Sequence, residues 1–249
     1  MDNSFHLPNL GGNLMSTQVS AMLMRELKDG IYSTAERLPA EVDLAATLKV
    51  SRTVIRDALS DLEREGFIER VRGIGTVINR TIVNLNNRLD LKFEYNDLIS
   101  AAGYRPITDS VRIRNVIADS TLSSQLDIDV GSPVLVCEKR ILAGTKPVIF
   151  SVDYMAEALF GSKDYAKTDW SRPIFEILDK DCGAMVTSNI TRVSATNGDP
   201  AVRKCLLLND FEALLLMDEV SYTKLCHPVL RSLSYYTDFF DFSMLRKKF

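Results

Sequence analysis

The feature that most constrains the fold is the run from Leu38 to Ile78, where two short helical patterns meet at a tight turn and a glycine-bounded pair of strand patterns follows. Leu38-Pro39-Ala40-Glu41 puts a proline at a helix start, where its missing N–H costs nothing. Leu44, Ala45 and Leu48 then form the buried stripe of that helix. Val50-Ser51 is the turn, and Ser51 can accept a hydrogen bond from a free amide in the first turn of the next helix. Val54, Ile55, Ala58, Leu59 and Leu62 face inward along that helix until Gly66 ends it. Upstream, Val19, Met22, Leu23 and Leu27 recur at helical spacing from Ser16, with Gly30 as a stop. Downstream, Phe67 to Arg72 alternates apolar and polar residues, Gly73 and Gly75 permit a tight turn, and Thr76-Val77-Ile78 returns. Residues 15–80 are therefore expected to form a winged helix-turn-helix.

The third helix leaves Ser51, Arg52, Thr53 and Arg56 outside its core stripe, together on one face of its first turns. A helix entering a major groove by its N-terminus presents such residues to base edges: arginine pairs bidentately with guanine, and serine and threonine reach bases or phosphates. Arg70 and Arg72 put positive charge on the expected wing, and Gly73 lets its tip approach a groove. Overall charge gives no help. The chain carries 30 Lys and Arg against 33 Asp and Glu, a net charge of −3. The competing reading, arginines merely solvated on a surface helix and hairpin, is the usual fate of isolated charges. The ordered combination of helices, turn and glycine wing favours double-stranded DNA as partner.

A length of 249 residues predicts two domains, and 46% hydrophobic residues with 25% charged residues is ordinary for a folded chain. No apolar run approaches the ~20 residues of a membrane span, so no membrane partner is expected. Residues 1–14 read as a flexible tail with no basic start followed by an apolar run, which predicts a cytoplasmic protein. Cys137, Cys182, Cys205 and Cys226 are far apart and only His6 and His227 occur, so neither a metal site, a disulfide framework nor a cofactor is expected.

Residues 81–92, including Asn84-Leu85-Asn86-Asn87-Arg88, are polar without a clear period and read as a linker. From residue 93 a second domain begins. A helix near Tyr95 to Ala102 precedes a strand through Ser110 to Val116. Pro133 to Leu142 and Pro147 to Tyr154 flank the hairpin turn Ala143-Gly144-Thr145-Lys146. Helical patterns at Pro173 to Lys180 and Asp199 to Leu208 separate strand patterns near Met185 to Ala195, Ala213 to Tyr222 and Val229 to Phe240. The fold class is α+β with an antiparallel sheet.

The first part resembles the GntR family of bacterial regulators across Leu38-Pro39-Ala40-Glu41, Leu44-Ala45, Val50 to Arg56, Ala58-Leu59, Leu62, Glu65-Gly66 and Gly73-Ile74-Gly75-Thr76. The resemblance implies DNA contacts at Ser51, Arg52, Thr53 and Arg56, with Arg72 and Gly73 on the wing. It also implies a homodimer on an inverted-repeat operator, held together through the C-terminal part. Val42 departs from the pattern, standing where the family commonly has arginine. Residues 93–249 resemble the UTRA effector-sensing domain of the HutC-like branch, a fold similar to chorismate lyase. The resemblance lies in Cys137-Glu138-Lys139-Arg140-Ile141, Lys146-Pro147-Val148, Tyr154, Phe175 to Leu178 and Ser234 to Phe240.

That likeness implies a small-molecule effector held over the sheet by Glu138, Arg140, Ser151, Asp153, Glu219, Ser234 and Tyr236. Glu138 and Arg140 share a face by strand alternation, as do alternate residues on any strand. Glu138 and Glu219 replace cations common in relatives, which points away from a sugar phosphate and toward a ligand with one anionic group plus amine or hydroxyl donors. A repressor released by a metabolite is the expected function. A ligand-independent architectural DNA-binding protein is the first alternative. An enzyme is the second, opposed by the absence of a Gly-x-Ser-x-Gly elbow, a phosphate loop or an H-E-x-x-H motif.

Overall fold

A computed structural model describes residues 15–85, 87–91, 94–209 and 211–246, so the expected flexible tail lies outside the described residues. The chain divides into two compact units, Met1–Asp90 with Ser243–Phe249, and Leu91–Phe242.

In the first unit, α1 (Met15–Lys28) buries Val19, Leu23 and Leu27, while α2 (Glu41–Leu48) buries Leu44, Ala45 and Leu48. α2 ends at Lys49, whose left-handed backbone (φ 54°) reverses the chain within the short turn to Ser51. α3 (Arg52–Arg64) buries Ile55, Ala58, Leu59 and Leu62, the stripe expected from its spacing. Two strands follow, β1 (Ile68–Val71) and β2 (Gly75–Ile78), paired antiparallel from Ile68 opposite Ile78 to Val71 opposite Gly75. The residues before α2 extend this ribbon: the Ile78 amide donates to the Glu36 carbonyl (2.8 Å) and the Leu38 amide to that of Thr76 (2.9 Å).

The stretch expected as a linker is largely built into this unit. A helical turn, α4 (Arg80–Val83), buries Ile82 and Val83. The Arg80 guanidinium donates to the carbonyls of Leu27 (2.7 Å) and Ala35 (2.9 Å), tying the end of α1 to the loop after it. Arg88 is only 3% exposed. It donates to the Glu65 carbonyl at the end of α3 (2.8 Å), stacks over the Phe67 ring and pairs with Asp90. Burial of these side chains, hidden in a polar stretch, is what places them in the folded unit. The segment from Ser243 also groups with this unit rather than with the second domain, through a bridge between Arg88 and Ser243.

The second unit is built on six antiparallel strands: β3 (Pro106–Ile117), β4 (Pro133–Ala143), β5 (Lys146–Ala156), β6 (Val186–Thr196), β7 (Leu214–Thr223) and β8 (Pro228–Tyr236). Their order is β3-β4-β5-β8-β7-β6, so the last strand inserts beside β5 near the middle of the sheet. Gly144 (φ 64°) makes the tight β4–β5 turn. Helices cover both faces. On one, Ile174, Ile177 and Leu178 of α7 (Ile174–Lys180) pack with Trp170 against Leu135, Cys137 and Met155. On the other, α6 (Ser120–Leu126) packs Leu122 and Leu126 against Val134, and α8 (Pro200–Leu206) sets Val202 and Leu206 against Leu214, Phe150 and Tyr235. A further helix, α5 (Tyr95–Ala101), precedes β3. Among the described residues no helix is long and apolar enough to cross a membrane.

Candidate functional site

Two surfaces carry candidate chemistry, one in each unit. In the first, Ser51 caps α3: its hydroxyl accepts the Val54 N–H at 3.2 Å, leaving the extended residue at the helix mouth. Ser51, Arg52, Thr53 and Arg56 are all exposed on the first turns of the helix. Arg56 has its side chain 59% exposed, with Glu41 of α2 at 3.7 Å. Arg72 and Gly73 form the exposed wing tip between β1 and β2, closed by the Ile74 N–H donating to the Val71 carbonyl (3.0 Å). Gly73 has φ +79° and nothing within 4 Å of where a Cβ would sit, so backbone conformation rather than crowding demands glycine there. Val42, on the departure from the family pattern, is exposed on α2.

Arg70 differs from the other candidates. Its guanidinium donates to Glu63 of α3 (2.5 and 2.8 Å) and to the Ser60 hydroxyl (3.1 Å). The side chain is thus directed at α3 and braces the root of the wing.

In the second unit, residues paired across neighbouring strands share a face. Arg140 pairs with Phe150 and Glu138 with Val152, whereas Lys139 pairs with Ser151 and Cys137 with Asp153. Ser151 and Asp153 in turn pair with Ser234 and Ser232, and Ser232 with Glu219. The seven expected effector residues therefore fall on opposite faces. Ser151, Asp153, Glu219, Ser234 and Tyr236 face one way and line a single cavity. Glu138 and Arg140 face the other way, a correction to the single expected pocket, because alternation along β4 sets their side apart from that of Ser151 and Asp153. There Arg140 forms an ion pair with Asp109 of β3 (2.7 Å) and donates to the Cys205 carbonyl (3.0 Å), while Glu138 is held by Arg114 at 3.0 Å.

The cavity, about 40 Å3, holds a few water molecules at roughly 10–15 Å3 each. Asp153, 3% exposed, accepts hydrogen bonds from Ser232 (2.6 Å) and Ser151 (3.3 Å). Glu219, 4% exposed, accepts one from Thr191 of β6 (2.8 Å). Glu94 and Tyr95, at the start of α5, and Phe175 of α7 complete the walls. Sequence reading missed Glu94, Tyr95, Ser232 and Thr191, since only the pairing of β5, β8, β7 and β6 and the packing of α5 bring them together. It also missed Lys139, which is 1% exposed on this same side and donates through Nζ to the Arg172 carbonyl. Its alternation with the buried Cys137 and Ile141 was the available sign. Burial raises the Tyr236 phenol well above its ordinary range, and the nearby carboxylates of Glu219, Asp153 and Glu94 push it the same way. A wider hollow of about 400 Å3 lies on the opposite side of the sheet, lined by Gln125, Asp127, Arg192 and Asp218 among others.

A capped reading helix with a glycine wing, followed by an antiparallel sheet holding a polar cavity, defines a DNA-binding regulator with an effector domain. Comparison with known proteins agrees. Residues 15–78 match the family model for bacterial regulatory proteins of the gntR family, and residues 101–238 match the UTRA domain. The chain belongs to the GntR family of transcription regulators, in the branch that carries a UTRA domain, and members of that family are not enzymes. It is 24% identical over 216 residues to an uncharacterized HTH-type transcriptional regulator, YurK of Bacillus subtilis, covering 87% of this chain and 88% of that one. It is 25% identical over 220 residues to the histidine utilization repressor of Pseudomonas aeruginosa, covering 85% and 86%. Among solved structures it shares its fold with YydK of Bacillus subtilis, described as a possible transcriptional regulator (TM-score 0.74, 14% identity, 95% of this chain and 100% of that one). PhnF of Mycobacterium smegmatis is also similar (TM-score 0.59, 23% identity, 92% and 99%).

Proposed function

We propose that the chain is a repressor that binds an inverted-repeat operator as a homodimer and releases it when a small metabolite enters the cavity over β5, β8 and β7. The observation that carries the reading is the exposure of Arg52, Thr53 and Arg56 on a helix whose N-terminus Ser51 caps. Ser51, Arg52, Thr53 and Arg56 would read bases and nearby phosphates, with Arg72 and Gly73 at the adjacent backbone and Arg70 positioning the wing. Dimerisation suits the task because one small head rarely supplies enough affinity alone, and a two-fold protein matches a two-fold site.

The cavity over the central strands is preferred to the wider hollow as effector site. Buried carboxylates and serine hydroxyls converge in it, whereas the hollow is walled in part by Ile190, which is 62% exposed; at about 40 Å3 the cavity has to widen as a metabolite enters. The name of the Pseudomonas aeruginosa relative, a histidine utilization repressor, supports a repressor working on a catabolic metabolite. Release then requires only that ligand and DNA favour different states of the dimer, with reciprocal coupling. Titration of the full chain against duplexes selected from a random pool, with and without a metabolite mixture, tests this reading. Selected sites without two-fold symmetry would oppose it, and so would affinity indifferent to every metabolite.

A further inference from the structure

We propose that Arg37, which lies outside both the reading helix and the wing, is a further contact to the DNA phosphate backbone: a guanidinium fixed at the wing turn with its charge left uncancelled. This rests on the docking of α3 and the wing given above and adds a residue to it.

The backbone around Arg37 is held on both sides. Before it, the Ala35 carbonyl accepts from Arg80 Nε (2.9 Å) and the Glu36 carbonyl from the Ile78 amide (2.8 Å). After it, the Leu38 amide donates to the Thr76 carbonyl (2.9 Å), and the Leu38 side chain is buried. Arg37 itself is bridged antiparallel to Val77 of β2. From that place its side chain reaches the turn of the wing, where Nη1 donates to the Ile74 carbonyl at 3.2 Å.

What holds the guanidinium decides what its charge can do. A carbonyl fixes its position without neutralising it, and among the described residues Arg37 has no carboxylate partner. Arg70 and Arg64 are the opposite case, paired with Glu63 at 2.5 Å and Asp61 at 2.8 Å. A guanidinium carries five N–H donors, so the bond to Ile74 leaves others for a phosphate. Arg37 is exposed, and nothing among the described residues screens that side of it from a bound duplex by pairing with it.

The usual fate of a surface arginine is solvation alone. Here the anchor to Ile74 puts the charge beside Gly73, at the tip that the proposed docking brings to the DNA. Since the backbone is fixed and one donor is already engaged, less side-chain freedom is lost on contact than for a solvated arginine.

The test measures affinity of the full chain for a duplex selected by the parent, and for a scrambled duplex of equal length, across a salt series by fluorescence anisotropy. Arg37→Ala should lose roughly threefold to tenfold in affinity on both duplexes, and its slope of log affinity against log salt should fall by about 1. Arg37→Gln keeps N–H donors for the Ile74 carbonyl but carries no charge, and it should show the same fall in slope. Arg37→Lys keeps the charge and should keep the slope. A parental slope in Arg37→Gln overturns the inference whatever Arg37→Ala does, because it would leave Arg37 only bracing the turn. A loss confined to the selected duplex overturns it too, since that marks a base contact. Arg52→Ala separates this assignment from the docking beneath it. If Arg52→Ala binds the selected duplex like the parent, the docking of α3 falls and this contact with it. If Arg52→Ala loses binding while Arg37→Gln keeps the parental slope, only the Arg37 contact falls.

Discussion

Glu63 on α3 and Arg70 on β1 are joined three times. One carboxylate oxygen accepts the Arg70 backbone N–H (2.8 Å), and the other accepts Nε (2.8 Å) and Nη2 (2.5 Å) of the guanidinium. This links the reading helix to the wing that must sit beside it. Both side chains are about one-third exposed, so solvent screens the pair and each of Arg70→Ala and Glu63→Gln should cost about 1 kcal/mol of unfolding free energy. The double variant should cost less than the sum, measured by urea unfolding.

Arg70 and Arg72 then separate by salt dependence. Arg72→Ala should weaken DNA binding and reduce the slope of log affinity against log salt by about 1, because a phosphate contact releases a counterion. Arg70→Ala should weaken binding with the slope nearly unchanged, since its guanidinium is engaged by Glu63.

Arg52→Ala and Arg56→Ala should each lower affinity for a selected site by roughly 1–3 kcal/mol. Thermal stability should stay within about 0.5 kcal/mol of the parent, as for exposed residues without buried partners. Fluorescence anisotropy and thermal melts on the same samples check both halves of this expectation.

The thiols should react unequally. Burial pushes Cys137 up to about 12 and Cys182 up to about 11, so both remain protonated at neutral pH. Cys226 is exposed. A disulfide reagent at pH 8 should label Cys226 first and reach Cys137 only after denaturant is added. Rapid labelling of Cys137 in the native protein, read by peptide mass, would contradict its burial between β4 and α7.

Asp90 predicts an acid-side effect. The hydrogen bonds from Arg88 hold its carboxyl below the ordinary value of 3.8. A group depressed in the folded state contributes stability that is present above its unfolded pKa and lost as pH falls through its folded pKa. The parent should therefore be more stable than Asp90→Asn at pH 6, with the difference shrinking below about pH 4. Thermal melts of the two proteins across that interval measure it.

Much of this architecture was legible because local pattern decided it. The Leu44-Ala45-Leu48 stripe, the Ser51 cap and the Gly73 tip are set by residues near one another in sequence, and each stands where the spacing placed it. The strands of the second unit followed from alternation in the same way. What stayed hidden depends on distant pairing. Alternation put Glu138 and Arg140 on one face of β4 but could not tell which face Ser151 and Asp153 of β5 would share. That is settled by the register of Lys139 with Ser151. The cavity needs β8 between β5 and β7, an order no local pattern contains. Arg88 read as a linker residue because its burial is provided by Phe67 and Glu65, which lie outside its own segment.

The central claim is that one chain couples DNA reading on α3 to ligand occupancy in the second unit. The most direct measurement is the affinity of the full chain for a selected duplex while a bound metabolite is titrated. The account predicts a two-fold symmetric site, a saturable loss of affinity in the 5–150-fold range usual for such coupling, and loss of binding in Arg52→Ala. Unchanged DNA affinity at full ligand occupancy would contradict it.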